Sequence, residues 1–224
     1  LNPGCRFFDL RIGQSVTLTG RCITKHMGAK VNEVITGNYD HRGEAIIYGD
    51  TDSVYFSAYK PLQNEIQSGK IPWQKENIIN LYDKISDEVN GSFTQFMTKA
   101  FHCPKTRGEV IAAGRELVAS KGLFITKKRY AVLYFDKEGE RTDTAGIPGK
   151  MKAMGLDLKR SDTPVFVQDF LSELLMLVLT NKNEKEVLDR ISKFREEFKA
   201  RPGWEKGSPK RANNVTEYLA KETK

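Results

Sequence analysis

One stretch limits the possible folds of this 224-residue chain more than any other: Ala45-Ile46-Ile47-Tyr48-Gly49-Asp50-Thr51-Asp52-Ser53-Val54-Tyr55-Phe56. Apolar β-formers stand on both sides of a Gly-Asp-Thr-Asp turn, which is the pattern of a tight β-hairpin over roughly residues 44–59. The turn carries two carboxylates, Asp50 and Asp52, at its tip. Two acidic oxygen donors two residues apart on a rigid turn suit a hard divalent cation such as magnesium. Asp-Thr-Asp is also ordinary turn chemistry, because Asp bonds its own backbone, so the motif needs a second signal.

The segments around the hairpin alternate in period. Val16, Ile23, Met27, Val31 and Val34 recur near every 3.6 residues and predict a helix from about Asp9 to Thr36, with Asp9 as cap and Gly37-Asn38 as stop. After a polar connection through Pro61, Gly69 and Pro72, Ile78, Tyr82, Ile85, Val89, Phe93 and Phe96 mark an amphipathic helix over roughly residues 74–100. Residues 109–136 change to strands, expected at 110–113, 116–118, 123–125 and 130–135, with Gly114 and Gly122 as breaks. A Gly- and charge-rich loop is expected over 136–150, and a basic connector over 151–160. Ser161-Asp162-Thr163-Pro164 then opens a helix to about Leu179, and a second runs from about Glu184 to Ala200. A last, weaker helix is expected from Ser208-Pro209.

Charge and cysteines narrow the function classes. The net charge of +7 favours a polyanionic partner, and the excess is uneven: residues 121–160 hold ten Lys/Arg against five Asp/Glu. Cys5, Cys22 and Cys103 are odd in number and widely spaced, which argues against a disulfide framework or zinc knuckle and fits a reducing cytosol. The longest apolar run, Phe170 to Leu179, is too short to cross a bilayer and contains Glu173, so no membrane role is expected.

The second signal is Thr126-Lys127-Lys128-Arg129-Tyr130, at the head of the β-run Ala131 to Phe135. Three cations followed by an aromatic ring form a compact phosphate-contacting cluster with a stackable ring. The hairpin string closely resembles the Tyr-Gly-Asp-Thr-Asp-Ser signature of family B DNA polymerases. The Lys-Lys-Arg-Tyr string resembles that family's second hallmark, in the right order and at the expected spacing. Phe7-Phe8-Asp9-Leu10-Arg11 and the stretch Gly155-Leu156 through Pro164 add to the likeness, which covers essentially the whole chain. Within the family it is nearest to replicative polymerases of large tailed bacteriophages.

The resemblance implies an α+β fold: a palm subdomain with an antiparallel β-sheet and packed helices in residues 1–155, followed by the all-helical base of the thumb in 156–224. It implies template-directed addition of deoxynucleotides to a primer 3′-hydroxyl by a two-metal mechanism with Mg2+. Asp52 is then the metal ligand shared by both ions and Asp50 its auxiliary. Thr51 lies near the primer end, and Glu116 is an acidic residue beside the metals. Lys127, Lys128, Arg129 and Tyr130 grip the primer–template. The partners implied are primer–template DNA, deoxynucleoside triphosphates, the remainder of the polymerase and a sliding clamp. The location implied is the cytoplasm, a host's if the source is viral.

Three family features are missing from this sequence: the Asp-x-x-Ser-Leu-Tyr-Pro-Ser motif with the other metal aspartate, the fingers lysine that binds triphosphate, and any proofreading exonuclease. The chain is therefore expected to be a fragment or split subunit, inactive alone. Rival readings are a non-catalytic DNA-binding module, a nuclease using Asp50, Asp52 and Glu116, and a nucleotide cyclase, which leaves residues 127–130 without a role.

Overall fold

The structure is a computed structural model that describes residues 4–144, 146–156, 158 and 160–207. The helix expected from Ser208 lies outside the described residues. The fold is α+β with antiparallel strand pairs, and it separates into two compact units, residues 1–118 with 136–141 and residues 119–135 with 142–224.

In the first unit, helix α1 (Leu10–Thr36) is capped as the sequence predicts. The extended Asp9 accepts the Arg11 N–H, and Gly37 closes the helix in the left-handed region (φ 78°), where a side chain would be strained. Strands β1 (Ile46–Gly49) and β2 (Val54–Phe56) form the expected hairpin, with Gly49 opposite Val54 and Tyr48 opposite Tyr55. The connection after it includes a short helix, α2 (Gln63–Gln67). Helix α3 (Lys75–Phe101) follows. Val31, Ile85, Val89 and Phe93 are the buried centre of this unit, and Ile23, Met27, Ile46, Phe56 and Tyr82 close around them. Side chains of this size each contribute about 1.5–3 kcal/mol on full burial, so α1, α3 and the hairpin stand or fall together.

The segment after the short helix α4 (Lys105–Gly108) departs from expectation: Val110–Ala113 is not a strand. At Ala113 the backbone is satisfied by α3 side chains instead. Ala113 N–H donates to Asn90 Oδ1 (2.7 Å), and its carbonyl accepts from Asn90 Nδ2 (2.9 Å) and Ser86 Oγ (3.2 Å). Ile111 and Ala113 still reach the core, so apolar residues alone could not distinguish strand from docked loop.

The second unit is built on β3 (Leu117–Thr126), β4 (Arg129–Lys137) and β6 (Lys150–Met154); the far ends of β3 and β4, with the two-residue β5 (Glu140–Arg141), are counted with the first unit. β3 continues through Gly122 without a break. A Cβ there would meet the Phe124 ring at 2.8 Å, so this glycine leaves room for a ring and makes no bend. β6 occupies part of the expected basic connector. Tyr130 pairs with Met154 and Val132 with Lys152, while Met151 and Ala153 pack on Ala131, Leu133 and Leu179. Alternation of Lys with apolar residues is a strand pattern that the basic composition obscured.

Helices α5 (Val165–Leu179) and α6 (Glu184–Ala200) pair through rings: Phe170 stacks on Phe194 at 3.7 Å, flanked by Phe166 and Phe198. Arg190 lies over Phe170 at 5.0 Å and grips Glu173 with two hydrogen bonds, which holds that carboxyl below its usual range. The one-turn helix α7 (Gly203–Lys206) ends the described chain. No described helix is long and apolar enough to cross a membrane.

Candidate functional site

The acidic turn is held from three directions, all within the first unit. Asp50 N–H donates to the Ser53 carbonyl at 2.9 Å and closes the loop. Asp50 Oδ1 accepts the Thr51 N–H at 2.8 Å and the Thr51 hydroxyl at 3.3 Å. The Thr51 carbonyl in turn accepts from Thr24 Oγ1 on α1 at 3.0 Å. Asp50 is half-buried, whereas Thr51 and Asp52 are exposed, and Asp52 has no hydrogen-bond or ion-pair partner among the described residues. One carboxylate thus organises the turn while the other is presented to solvent.

The root of the hairpin is fixed by Asn32, which is 1% exposed. Its Oδ1 accepts from the fully buried Ala45 N–H (3.2 Å), and its Nδ2 donates to the Asn38 carbonyl (2.8 Å). A Cβ on Gly43 would lie 2.1 Å from Asn32 Nδ2, so only glycine lets the chain pass. Tyr48 and Tyr55 face each other on the strands, 6.1 Å between centroids.

Glu116 is also presented outward, on a backbone that is clamped. Its neighbour Arg115 is paired with Asp83 of α3 and with Asp136 of β4, and Asp136 is 1% exposed. Burial works against the Arg115 charge, but these two carboxylates outweigh it and raise the guanidinium pKa. The Glu116 carbonyl accepts from Glu138 N–H at 2.9 Å.

In the second unit, Lys127 and Lys128 form the two-residue tip between β3 and β4, with Lys128 in the left-handed region at φ 61°. Lys127, Lys128 and Arg129 are all exposed. Arg129 Nε donates to the Gly155 carbonyl at 3.2 Å. Gly155 itself has φ 63°, and a Cβ on it would meet the Lys128 carbonyl oxygen at 1.9 Å. Tyr130 departs from the expectation of a ring open to stacking: it is 5% exposed and already stacked on Phe124 at 5.5 Å.

A model of DNA polymerase family B matches residues 109–220, half of the chain. The chain belongs to DNA polymerase family B. It is 31% identical over 191 residues to the DNA-directed DNA polymerase of Escherichia phage RB69, covering 80% of this chain and 20% of that protein. It is 25% identical to the DNA-directed DNA polymerase of Enterobacteria phage T4, over 95% of this chain and 24% of the relative. DNA polymerase II of Escherichia coli K12 is 28% identical over 85% of this chain and 21% of its own length. The chain thus spans about a fifth to a quarter of these relatives' length.

For a family B chain the donor chemistry at the turn is informative. Among the described residues no three His, Cys, Asp or Glu side chains are gathered to form a protein cage for a metal. Magnesium does not need one: it is usually held by one or two carboxylates, with waters and substrate phosphates filling its octahedron. Asp50 and Asp52 fit that kind of site. Thr24, Asn32 and Gly155 were missed by sequence reasoning. A polar Asn on the buried face of α1 was the one available signal, since the partners of Thr24 and Gly155 lie 26 residues away or more.

Proposed function

We propose that this chain forms the C-terminal part of the palm (1–155) and the base of the thumb (156–224) of a replicative DNA-directed DNA polymerase. The observation that carries this reading is the exposed, unpartnered Asp52 on a braced turn in a chain of this family. When bound, magnesium would supply the activation of a primer 3′-hydroxyl and the neutralisation of triphosphate charge. Asp52 holds the ions with one carboxylate, while Asp50 keeps its own carboxylate engaged with Thr51 and steadies the loop. Thr51 faces the primer end, and Glu116 adds negative charge beside the ions. Lys127, Lys128 and Arg129 contact the DNA backbone and minor groove, where A·T and G·C acceptors are nearly alike and no sequence is read. Tyr130 braces that tip.

Primer–template DNA, deoxynucleotides, the remainder of the polymerase and a sliding clamp are the partners this reading implies, in the cytoplasm, a host's if the source is viral. The remainder must supply the second metal aspartate, because two ions sharing one essential carboxylate would be poorly held. The testing experiment is magnesium-dependent primer extension. The purified chain alone should give none, and adding the remainder of the polymerase, joined or as a second chain, should restore it. Extension by the chain alone, or degradation of DNA by it, would overturn this reading.

A further inference from the structure

We propose that Thr24, on α1, is a positioning residue that aims Asp52. The proposal rests on the metal-holding reading of the turn, but its observations are independent of it. The Thr24 hydroxyl lies 3.0 Å from the Gly20 carbonyl, the usual back-bond of a helical threonine, and equally 3.0 Å from the Thr51 carbonyl 27 residues away. It has a single proton, shared between the two.

The geometry of the bond explains its effect. Peptide groups are planar, so fixing the Thr51 carbonyl fixes the whole plane that runs to the Asp52 Cα. The preceding plane is fixed as well, because the Thr51 N–H donates to Asp50 Oδ1 at 2.8 Å. Both planes flanking Thr51 are therefore anchored, one by the turn's own carboxylate and one by α1. Asp52 has no partner of its own among the described residues, so its direction comes from this backbone. The anchor itself is rigid: Ile23 and Met27, on either side of Thr24, pack on the buried core of the unit. Magnesium tolerates little departure from octahedral geometry, so a carboxylate that wanders binds it less well.

The test uses the purified chain with Thr24→Val, which keeps the shape and removes the hydroxyl, and Thr24→Ser, which restores it. Backbone order parameters are measured by NMR, and Mn2+ alone is titrated as the probe, read by paramagnetic broadening at the turn. In Thr24→Val we expect order parameters at Thr51 and Asp52 to fall from about 0.85 toward 0.6, with α1 and α3 unchanged. Mn2+ affinity should weaken about five-fold, the value of one hydrogen bond, and Thr24→Ser should recover both readouts. Unchanged order parameters in Thr24→Val, or an equal loss throughout the unit, would overturn the proposal. If the unsubstituted chain shows no Mn2+ broadening at the turn, the order parameters still decide whether Thr24 is the tether, and primer extension by the assembled enzyme decides the metal-holding reading.

Discussion

Asn32 joins two elements through one buried amide, and removing it should be costly. Asn32→Ala leaves the fully buried Ala45 N–H without its partner and releases the Asn38 carbonyl of an exposed residue. We expect a loss of about 1–3 kcal/mol in urea unfolding, the cost of one orphaned buried donor. His26 makes a second residue-scale prediction. It is 7% exposed, stacked on Phe96, and hydrogen-bonded to Tyr39 and Ser92. Burial lowers its pKa, with Lys30 adding to the effect and Glu33 opposing it. The unfolded chain therefore binds the proton more readily than the folded one. The stability His26 contributes is complete above its ordinary value of about 6.5 and is lost as pH falls below it. The thermal midpoint should drop between pH 7 and 5 in the native chain, and the drop should be smaller in His26→Gln. An identical pH profile in the variant would refute this.

The basic hairpin tip acts as an element, and its prediction is electrostatic. Lys127→Ala with Lys128→Ala should weaken DNA binding and lower the slope of log affinity against log salt by about two, one per lost phosphate contact. Loss of affinity with an unchanged slope would place both lysines away from the backbone. Gly155→Ala should disturb the same tip from beneath, since its Cβ would collide with the Lys128 carbonyl at 1.9 Å. What the sequence revealed at this scale followed the strength of the local signal. α1 was legible from its caps, α3 from its period and the β1–β2 hairpin from its turn residues, although Val16 and Val34 of the α1 period are exposed. Val110–Ala113 was not, because its hydrogen bonds come from Asn90 and Ser86 of a distant helix. β6 was hidden by its lysines, and Gly122 suggested a bend where it only clears a ring. The turn that carries Asp50 and Asp52 and the hairpin tip that carries Lys127 and Lys128 were legible as turns, while the roles of these residues are a proposal. The burial of Tyr130 and the tether from Thr24 depend on contacts that no local pattern encodes.

For the whole molecule, the net charge of +7 and the limited span of the chain along its relatives set the expected behaviour. Alone, it should bind DNA weakly, with an affinity that falls steeply with salt, and add no nucleotides. On the function proposed above, activity would belong to the assembled enzyme, where positioned charges and ions would carry the chemistry. The deciding measurement is primer extension by the enzyme assembled from this chain and the remainder of the polymerase, with Asp52→Ala compared against the native residue and DNA affinity measured in parallel. We expect turnover to fall by about 10³-fold or more while DNA affinity changes less than about three-fold, as for loss of a charge that acts in the transition state. Turnover within about ten-fold of native would contradict the placement of Asp52 at the metals, because a carboxylate shared by both ions cannot be spared so cheaply.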